Sequence, residues 1–240
     1  MPCCCPIKYT TRQNTLTPTL NIDLYFDLIC PWCLIGKRHL STALEQFHQR
    51  HPNVNTSVVW HAHQLLPDMP VKGMPYQAFY EHRLGSKAAV TARRAQVQAA
   101  AQAAGITLAF ERIEFMPNTL AAHQLIDCAG KLGNTEQVAN LIERLFTAYF
   151  MDGRDIGDLT VLFAIATETG FPAAQIQTAL ATPEIHQRFL EKLAATAASG
   201  ISGVPCFVFN NRQAISGAHP PASLLAAMEE APLASATQTV

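Results

Sequence analysis

The sequence predicts an α/β fold in which a small sheet is interrupted by one large, all-helical insertion. Three observations predict it. An alternating run, Asn21 to Leu28, passes through Cys30-Pro31-Trp32-Cys33 into a helix-like run that reaches about Arg50. The middle of the chain then carries helical periodicity over about 120 residues, with only a weak strand signal from Leu108 to Phe115. β character returns at Val204-Pro205-Cys206-Phe207-Val208-Phe209.

In order, residues 1–18 read as a disordered arm, polar and with no acid before Asp23. From Asn21 to Leu28, Ile22, Leu24, Phe26 and Leu28 alternate with Asn21, Asp23, Tyr25 and Asp27, the period of a strand with one buried face. Leu34, Leu40, Leu44 and Phe47 then recur at near-helical spacing, and the helix ends near His51-Pro52. A second strand centres on Val58-Val59-Trp60. Strand, helix and strand in succession imply a parallel pair.

Met74 to Gly105 is Ala-rich and reads as helix, with Gly105 as its cap. Further helices are expected over 118–131, 135–150, 158–169, 173–181 and 183–198, with Asn118, Asp158 and Thr182 as caps. Asn210-Asn211 signals a hairpin turn, Gln213 to Ser216 pairs back, and Pro220 to Glu230 forms a closing helix. The expected domains are therefore residues 19–70 with 200–231 as the sheet domain and 71–199 as the helical insertion. Residues 232–240 form a flexible tail.

Two cysteines separated by two residues at a strand-to-helix corner are the pattern of a thiol–disulfide centre. The first turn of a helix carries unpaired N–H groups and the positive end of the dipole. A thiolate there is stabilised, so Cys30 becomes a nucleophile near neutral pH. Cys33, one turn on, faces it and resolves a mixed disulfide by attacking the Cys30 sulfur. Pro31 suits the first helical position, where its missing N–H costs little. Trp32, between the two cysteines, reads as a substrate-facing or cap residue rather than core. Half of a zinc site is the competing reading, but zinc usually takes four Cys or His ligands, and no second pair is evident. No metal is expected.

Composition bounds the rest. Apolar residues make up 49% and charged residues 15% of 240, the profile of a soluble globular chain with a substantial core. A net charge of −1 without a basic patch favours neither nucleic acid nor a membrane surface. No apolar run is long enough to cross a bilayer. The seven cysteines do not form a disulfide framework: three are adjacent at Cys3-Cys4-Cys5, two form the motif, and Cys128 and Cys206 stand alone. That suits a reducing compartment, and a cytoplasmic location is expected. The first twenty residues have no apolar stretch of a secretory signal; a transit peptide is the weaker alternative to an ordinary arm.

The segments Cys30-Pro31-Trp32-Cys33 with Ile35-Gly36-Lys37-Arg38, Trp60 with Pro67-Asp68-Met69-Pro70, Pro117-Asn118-Thr119 with Ala122-His123, Asp152-Gly153-Arg154-Asp155-Ile156, Gly203-Val204-Pro205 and Ile215-Ser216-Gly217-Ala218 keep one order along the chain. In these segments the chain resembles the DsbA family of thiol–disulfide oxidoreductases, most closely its FrnE-like branch. The resemblance spans about Asn21 to Glu230. It implies a thioredoxin-like fold with a helical insertion. It also implies a cis bond before Pro205 facing the cysteines, with the Val204 backbone left free to pair with substrate.

The family's substrates are protein or peptide thiols and disulfides, with glutathione as a redox partner and no other cofactor. The Pro-Trp dipeptide departs from bacterial DsbA proteins, which carry a histidine in the motif, so strong oxidising power is not implied. The same fold includes 2-hydroxychromene-2-carboxylate isomerases and kappa-class glutathione transferases. A glutathione-dependent isomerase or transferase acting on an aromatic or polyketide-like molecule is therefore the alternative function. In those relatives a serine typically stands where this chain has Cys30, which favours dithiol chemistry here.

Other candidates read more plainly. Cys206 follows Pro205 and either reaches Cys30 or fills a small apolar strand position; Cys128 reads as core. His61 and His63 share a strand face by period two, but no third metal ligand is evident. His123 and His219 either line a cleft or are hydrogen-bonded structural residues. Asp152, Arg154, Asp155 and Asp158 read as caps and a solvated turn. Lys37 and Arg38 either support the thiolate, bind a glutathione carboxylate, or form a solvated helix face. Oligomeric state is open, with a homodimer through exposed apolar insertion helices one option.

Overall fold

The structure, a computed structural model, describes residues 18–233. The expected arm and tail, and with them Cys3-Cys4-Cys5, lie almost wholly outside those residues. Strand β1 (Thr19–Phe26) buries Leu20, Ile22, Leu24 and Phe26 and leaves the residues between them partly exposed, as its alternation requires. It pairs in parallel with β2 (Asn55–Ala62), Leu24 beside Trp60. A parallel pair needs a crossover, which is α1 (Pro31–Arg50).

On the other side of β1 runs the antiparallel β5 (Cys206–Phe209), then β6 (Gln213–Ser216), giving the order β2-β1-β5-β6. Asn210 and Asn211, with φ of 46° and 56°, make the turn between β5 and β6. Asparagine tolerates this left-handed region better than most residues. Helices α1 and α9 (Pro221–Glu230) pack together beneath the sheet, where Phe47, Phe207, Phe209 and Leu224 join Leu20, Ile22 and Leu24 in one core.

Between β2 and β5 lie seven helices. The stretch expected as one helix from Met74 is a two-residue strand, β3 (Met74–Pro75), followed by α2 (Tyr76–Leu84) and α3 (Lys87–Ala103). Gly85 at φ 86° ends α2, and the Ser86 hydroxyl accepts the Ala89 N–H to start α3. A Gly-Ser pair inside a helical pattern supplies both a left-handed stop and an N-cap. The weak strand signal at 108–115 resolves into a 3₁₀ turn (Phe110–Arg112) and a two-residue strand, β4 (Phe115–Met116), paired with β3.

The remaining helices are α4 (Leu120–Leu132), α5 (Thr135–Phe150), α6 (Leu159–Glu168), α7 (Ala173–Ala181) and α8 (Pro183–Ala197). Asp158 caps α6 as expected, and Asn134 caps α5. Thr182 precedes α8 without capping it, because its hydroxyl donates back to the Thr178 carbonyl at 2.7 Å. Asn118 accepts the Leu120 N–H at 2.9 Å and donates to the Met69 carbonyl at 2.6 Å, tying α4 to the loop after β2.

A second core joins these helices to the cysteine corner. Phe146, fully buried, lies 6.2 Å from Phe26 of β1 and 6.4 Å from Phe150. The helical segment thus shares apolar surface with the end of β1 and the first turn of α1. Phe146→Ala removes a ring that spans both elements. It is expected to cost about 3–5 kcal/mol of stability, read as a lowered urea midpoint, with near-native secondary structure retained in the absence of denaturant.

Candidate active site

The chain turns sharply after Phe26. The Cys30 N–H donates to the Asp27 carbonyl at 3.2 Å, and the Cys30 carbonyl accepts the N–H groups of Cys33 at 3.0 Å and Leu34 at 3.4 Å. Cys30 is the N-cap residue of α1, with extended backbone, and Pro31 occupies the first turn. Gly36 lets α1 approach the start of β5. A Cβ there would stand 2.9 Å from Pro205 Cγ and 3.1 Å from Phe207 Cζ. The Val204–Pro205 bond is cis. The Val204 carbonyl lies 3.7 Å from Cys30 Sγ, within reach of a thiol hydrogen bond. Sequence-distant Val204 and Pro205 therefore meet the Cys30-Pro31-Trp32-Cys33 corner.

All four described cysteines are free thiols. The two motif thiols differ electrostatically. A hydrogen bond from the Cys33 thiol holds the Cys30 pKa below the ordinary thiol value, helped by the N–H groups of Cys33 and Trp32 and opposed by burial and by the Asp27 charge. Burial pushes Cys33 well up, and its hydrogen bond to Cys30 adds to the rise. Cys30 is thus the easier of the two thiols to ionise.

Cys30 opens on a cavity of about 390 Å³. One wall is the motif itself, through Pro31 and Trp32; the opposite walls are Tyr76, Phe79 and Tyr80 of α2 and residues of α3. The helical insertion was expected to roof the site, but no residue of either wall helix was singled out for it. Tyr80 is raised above the usual phenol range, chiefly by burial and next by the nearby Cys30 sulfur, so it stays protonated beside that sulfur.

Beneath the motif lies a buried polar pair. Asp27, fully buried, accepts the Leu65 N–H at 2.7 Å on one oxygen and faces His123 Nε2 at 3.1 Å on the other. A carboxylate only accepts, so Nε2 carries the hydrogen. Phe26 meets the His123 ring edge-on at 5.2 Å. His123 is therefore a hydrogen-bonded residue of the wall behind the cysteines. Asp27 was missed because period-two reading placed it on the exposed face; the strand ends at Phe26 and the chain turns it inward.

The other candidates fall away from the thiols. Lys37 and Arg38 both bind Glu143 of α5, at 2.5 and 2.7 Å, locking α1 to the helical segment. Cys206 is buried and sits opposite Tyr25 of β1, whose ring stacks on His61 at 4.6 Å. His61 bonds Asp23 at 2.6 Å; among the described residues no group of three or more His, Cys, Asp or Glu side chains is placed to hold a metal. His219 Nε2 donates to the Ser216 carbonyl at 3.0 Å, and its own carbonyl accepts from His39. Asp152 and Arg154 enter ion pairs with Arg144 and Glu168, and Asp155 accepts the Gly157 N–H. Cys128 is buried core.

The DSBA-like thioredoxin domain family matches residues 21–229. A Bacillus subtilis (strain 168) relative, uncharacterized protein YwbO, is 23% identical over 80% of this chain and 88% of its own. The probable DsbA oxidoreductase SCO1869 of Streptomyces coelicolor superposes with a TM-score of 0.78 at 24% identity, covering 88% of this chain and 89% of its own. The cytosolic disulfide reductase DsbM of Pseudomonas aeruginosa, solved with GSH, superposes at 0.61 and 17% identity, covering 87% and 97%.

The hydrogen bond between the two thiols generates a direct expectation. Cys33→Ala removes the donor that lowers Cys30, whereas Cys33→Ser keeps one. The pH midpoint of Cys30 alkylation by iodoacetamide is expected to be higher in Cys33→Ala than in Cys33→Ser. Equal midpoints would assign the lowering to the helix terminus alone.

Proposed function

The chain belongs to the DSBA-like thioredoxin domain family, and on that premise we propose that it is a thiol–disulfide oxidoreductase working through Cys30 and Cys33. The observation that carries this reading is the placing of Cys30 as the N-cap of α1, with Cys33 one turn on and the cis Val204–Pro205 bond against the Cys30 sulfur. In keeping with it, the hydrogen bond from Cys33 lowers the Cys30 pKa and burial raises that of Cys33. The Cys30 thiolate attacks a substrate disulfide, forms a mixed disulfide, and expels one arm as a thiolate. Cys33 then loses its proton and attacks the Cys30 sulfur, releasing the second arm as a thiolate. The substrate gains two electrons and the protein holds a Cys30–Cys33 disulfide. The reverse sequence oxidises a dithiol.

Pro31 and Trp32 shape the rim, and Val204 with Pro205 flanks the attacked sulfur, its backbone available to an extended substrate. Glutathione or a protein dithiol resets the pair, and the proposed setting is the cytoplasm, where such reductants are abundant. Among the described residues no helix is long and apolar enough to cross a membrane.

A second reading draws on one observation: the cavity beside Cys30 has the size and aromatic lining of a small-molecule site. It is that of a glutathione-dependent isomerase or transferase acting on an aromatic molecule. The two readings separate on one residue. Cys30→Ser is expected to reduce glutathione-coupled turnover of insulin disulfides to the uncatalysed rate, and Cys33→Ser to accumulate a mixed disulfide visible by mass spectrometry. Wild-type turnover in Cys30→Ser would sink the dithiol reading; glutathione binding retained in Cys30→Ala without dithiol turnover would favour the second.

A further inference from the structure

The cavity beside Cys30 carries a charge that the fold leaves unbalanced. Its only charged lining residues are Arg83, Arg93 and Arg94, from α2 and α3. Among the described residues no carboxylate forms an ion pair with any of the three, whereas Lys37, Arg38, Arg144 and Arg154 nearby all have one. Arg93 and Arg94 instead donate to neutral amides, Gln96 at 2.7 Å and Gln77 at 2.8 Å.

An arginine on a helix face is ordinarily just solvated, and Arg83 is exposed in that way. Arg94 is not of that kind. Its guanidinium lies 5.0 Å from the Tyr76 ring centre and 6.0 Å from that of Phe110, and its Nε is buried with no hydrogen-bond partner among the described residues. Two aromatic faces hold the group in the cavity wall by cation–π attraction. Arg93 lies 5.9 Å over the ring of Trp32, inside the redox motif. The same cavity therefore offers flat apolar walls and two guanidinium groups, one of them held between rings, within the pocket onto which Cys30 opens. A planar fork of donors on an apolar wall matches a carboxylate attached to a ring.

Resting on the dithiol reading above, we propose that this cavity selects disulfides with one arm an aromatic carboxylate. The ring seats among Trp32, Tyr76, Phe79 and Tyr80, and the acid binds Arg93 and Arg94. The Cys30 thiolate attacks the sulfur on that arm, so the S–S bond breaks, a Cys30–S–S–arm bond forms, and the distal arm departs as a thiolate. Cys33 thiolate next displaces the acidic arm as a thiol(ate), leaving the protein disulfide; a low-molecular-weight thiol restores the dithiol. Arg93 and Arg94 set specificity and take no part in the electron transfer.

Two reagents test this in the Cys33→Ser chain, in which Cys30 stops at the mixed disulfide: 5,5′-dithiobis(2-nitrobenzoate), an aromatic carboxylate, and 4,4′-dithiodipyridine, a neutral aromatic. Rates are corrected for other thiols with Cys30→Ser and referred to those of free glutathione. The acid-to-neutral rate ratio is expected to exceed that of glutathione by at least about tenfold, the low end for one charge-assisted hydrogen bond. Adding Arg93→Gln and Arg94→Gln should return the ratio to that of glutathione.

Arg93→Gln alone, at an exposed side chain, keeps the test open if the double variant does not fold; it should lower the ratio by several-fold. A ratio equal to that of glutathione, or one unmoved by the substitutions, overturns the selectivity and leaves the dithiol reading standing. A Cys30 that reacts with neither reagent above the Cys30→Ser background overturns both.

Discussion

The constraint on which the rest depends is the placing of two thiols one helical turn apart at the N-terminus of α1. It exists because β1 ends at Phe26 and the chain reverses through Asp27–Ile29 so that Cys30 becomes the cap of α1. The helix terminus offers its N–H groups to whatever negative charge forms there. Cys33 is the nearest donor and also the more buried of the two thiols. Ionising Cys33 in an apolar, sealed position costs more than ionising Cys30 at its edge, so the proton stays on Cys33 and the charge is held by Cys30. The same asymmetry that makes one sulfur reactive keeps the other from competing with it.

Two groups bear on that balance from opposite sides. The Asp27 charge opposes ionisation of both thiols, although its backbone hydrogen bond to Cys33 acts the other way, and the carboxylate is fixed in place by the Leu65 N–H and by His123. Its charge is thereby anchored to the loop after β2 and to α4, so the corner is braced by elements far apart in sequence. On the other side Val204 and Pro205 close over Cys30, and Gly36 is the small residue that permits the approach. Sheet, helix and insertion each supply one wall of a space a few ångströms across.

Much of this was legible in the sequence, and the reasons differ by element. The period-two run of β1, the helical spacing of α1 and the Asn210-Asn211 turn are local signals, and local physics sets them. The cysteine pair and its corner were legible because a strand-to-helix junction has a fixed electrostatic character. The break at Gly85-Ser86 was overlooked because the Ala-rich pattern continues across it, although the two residues form an ordinary stop and start. Asp27 and the particular residues that α2 and α3 bring to the cavity were not legible. Nothing local says that a strand stops one residue before an aspartate, or that Tyr76, Tyr80 and Arg94 of an unremarkable polar helix pair will face a thiol fifty residues earlier.

That last failure is itself informative about how the fold divides its labour. The sheet and α1 fix the two sulfurs, and they do so with residues adjacent in sequence. The insertion adds surface around those sulfurs with residues that have no local requirement to be there. It is tied to α1 through Glu143 with Lys37 and Arg38, to β1 through Phe146 against Phe26, and α3 of the cavity wall packs on α1 as well. The cysteine pair is written in a short motif, whereas the cavity beside it is assembled from residues distant in sequence.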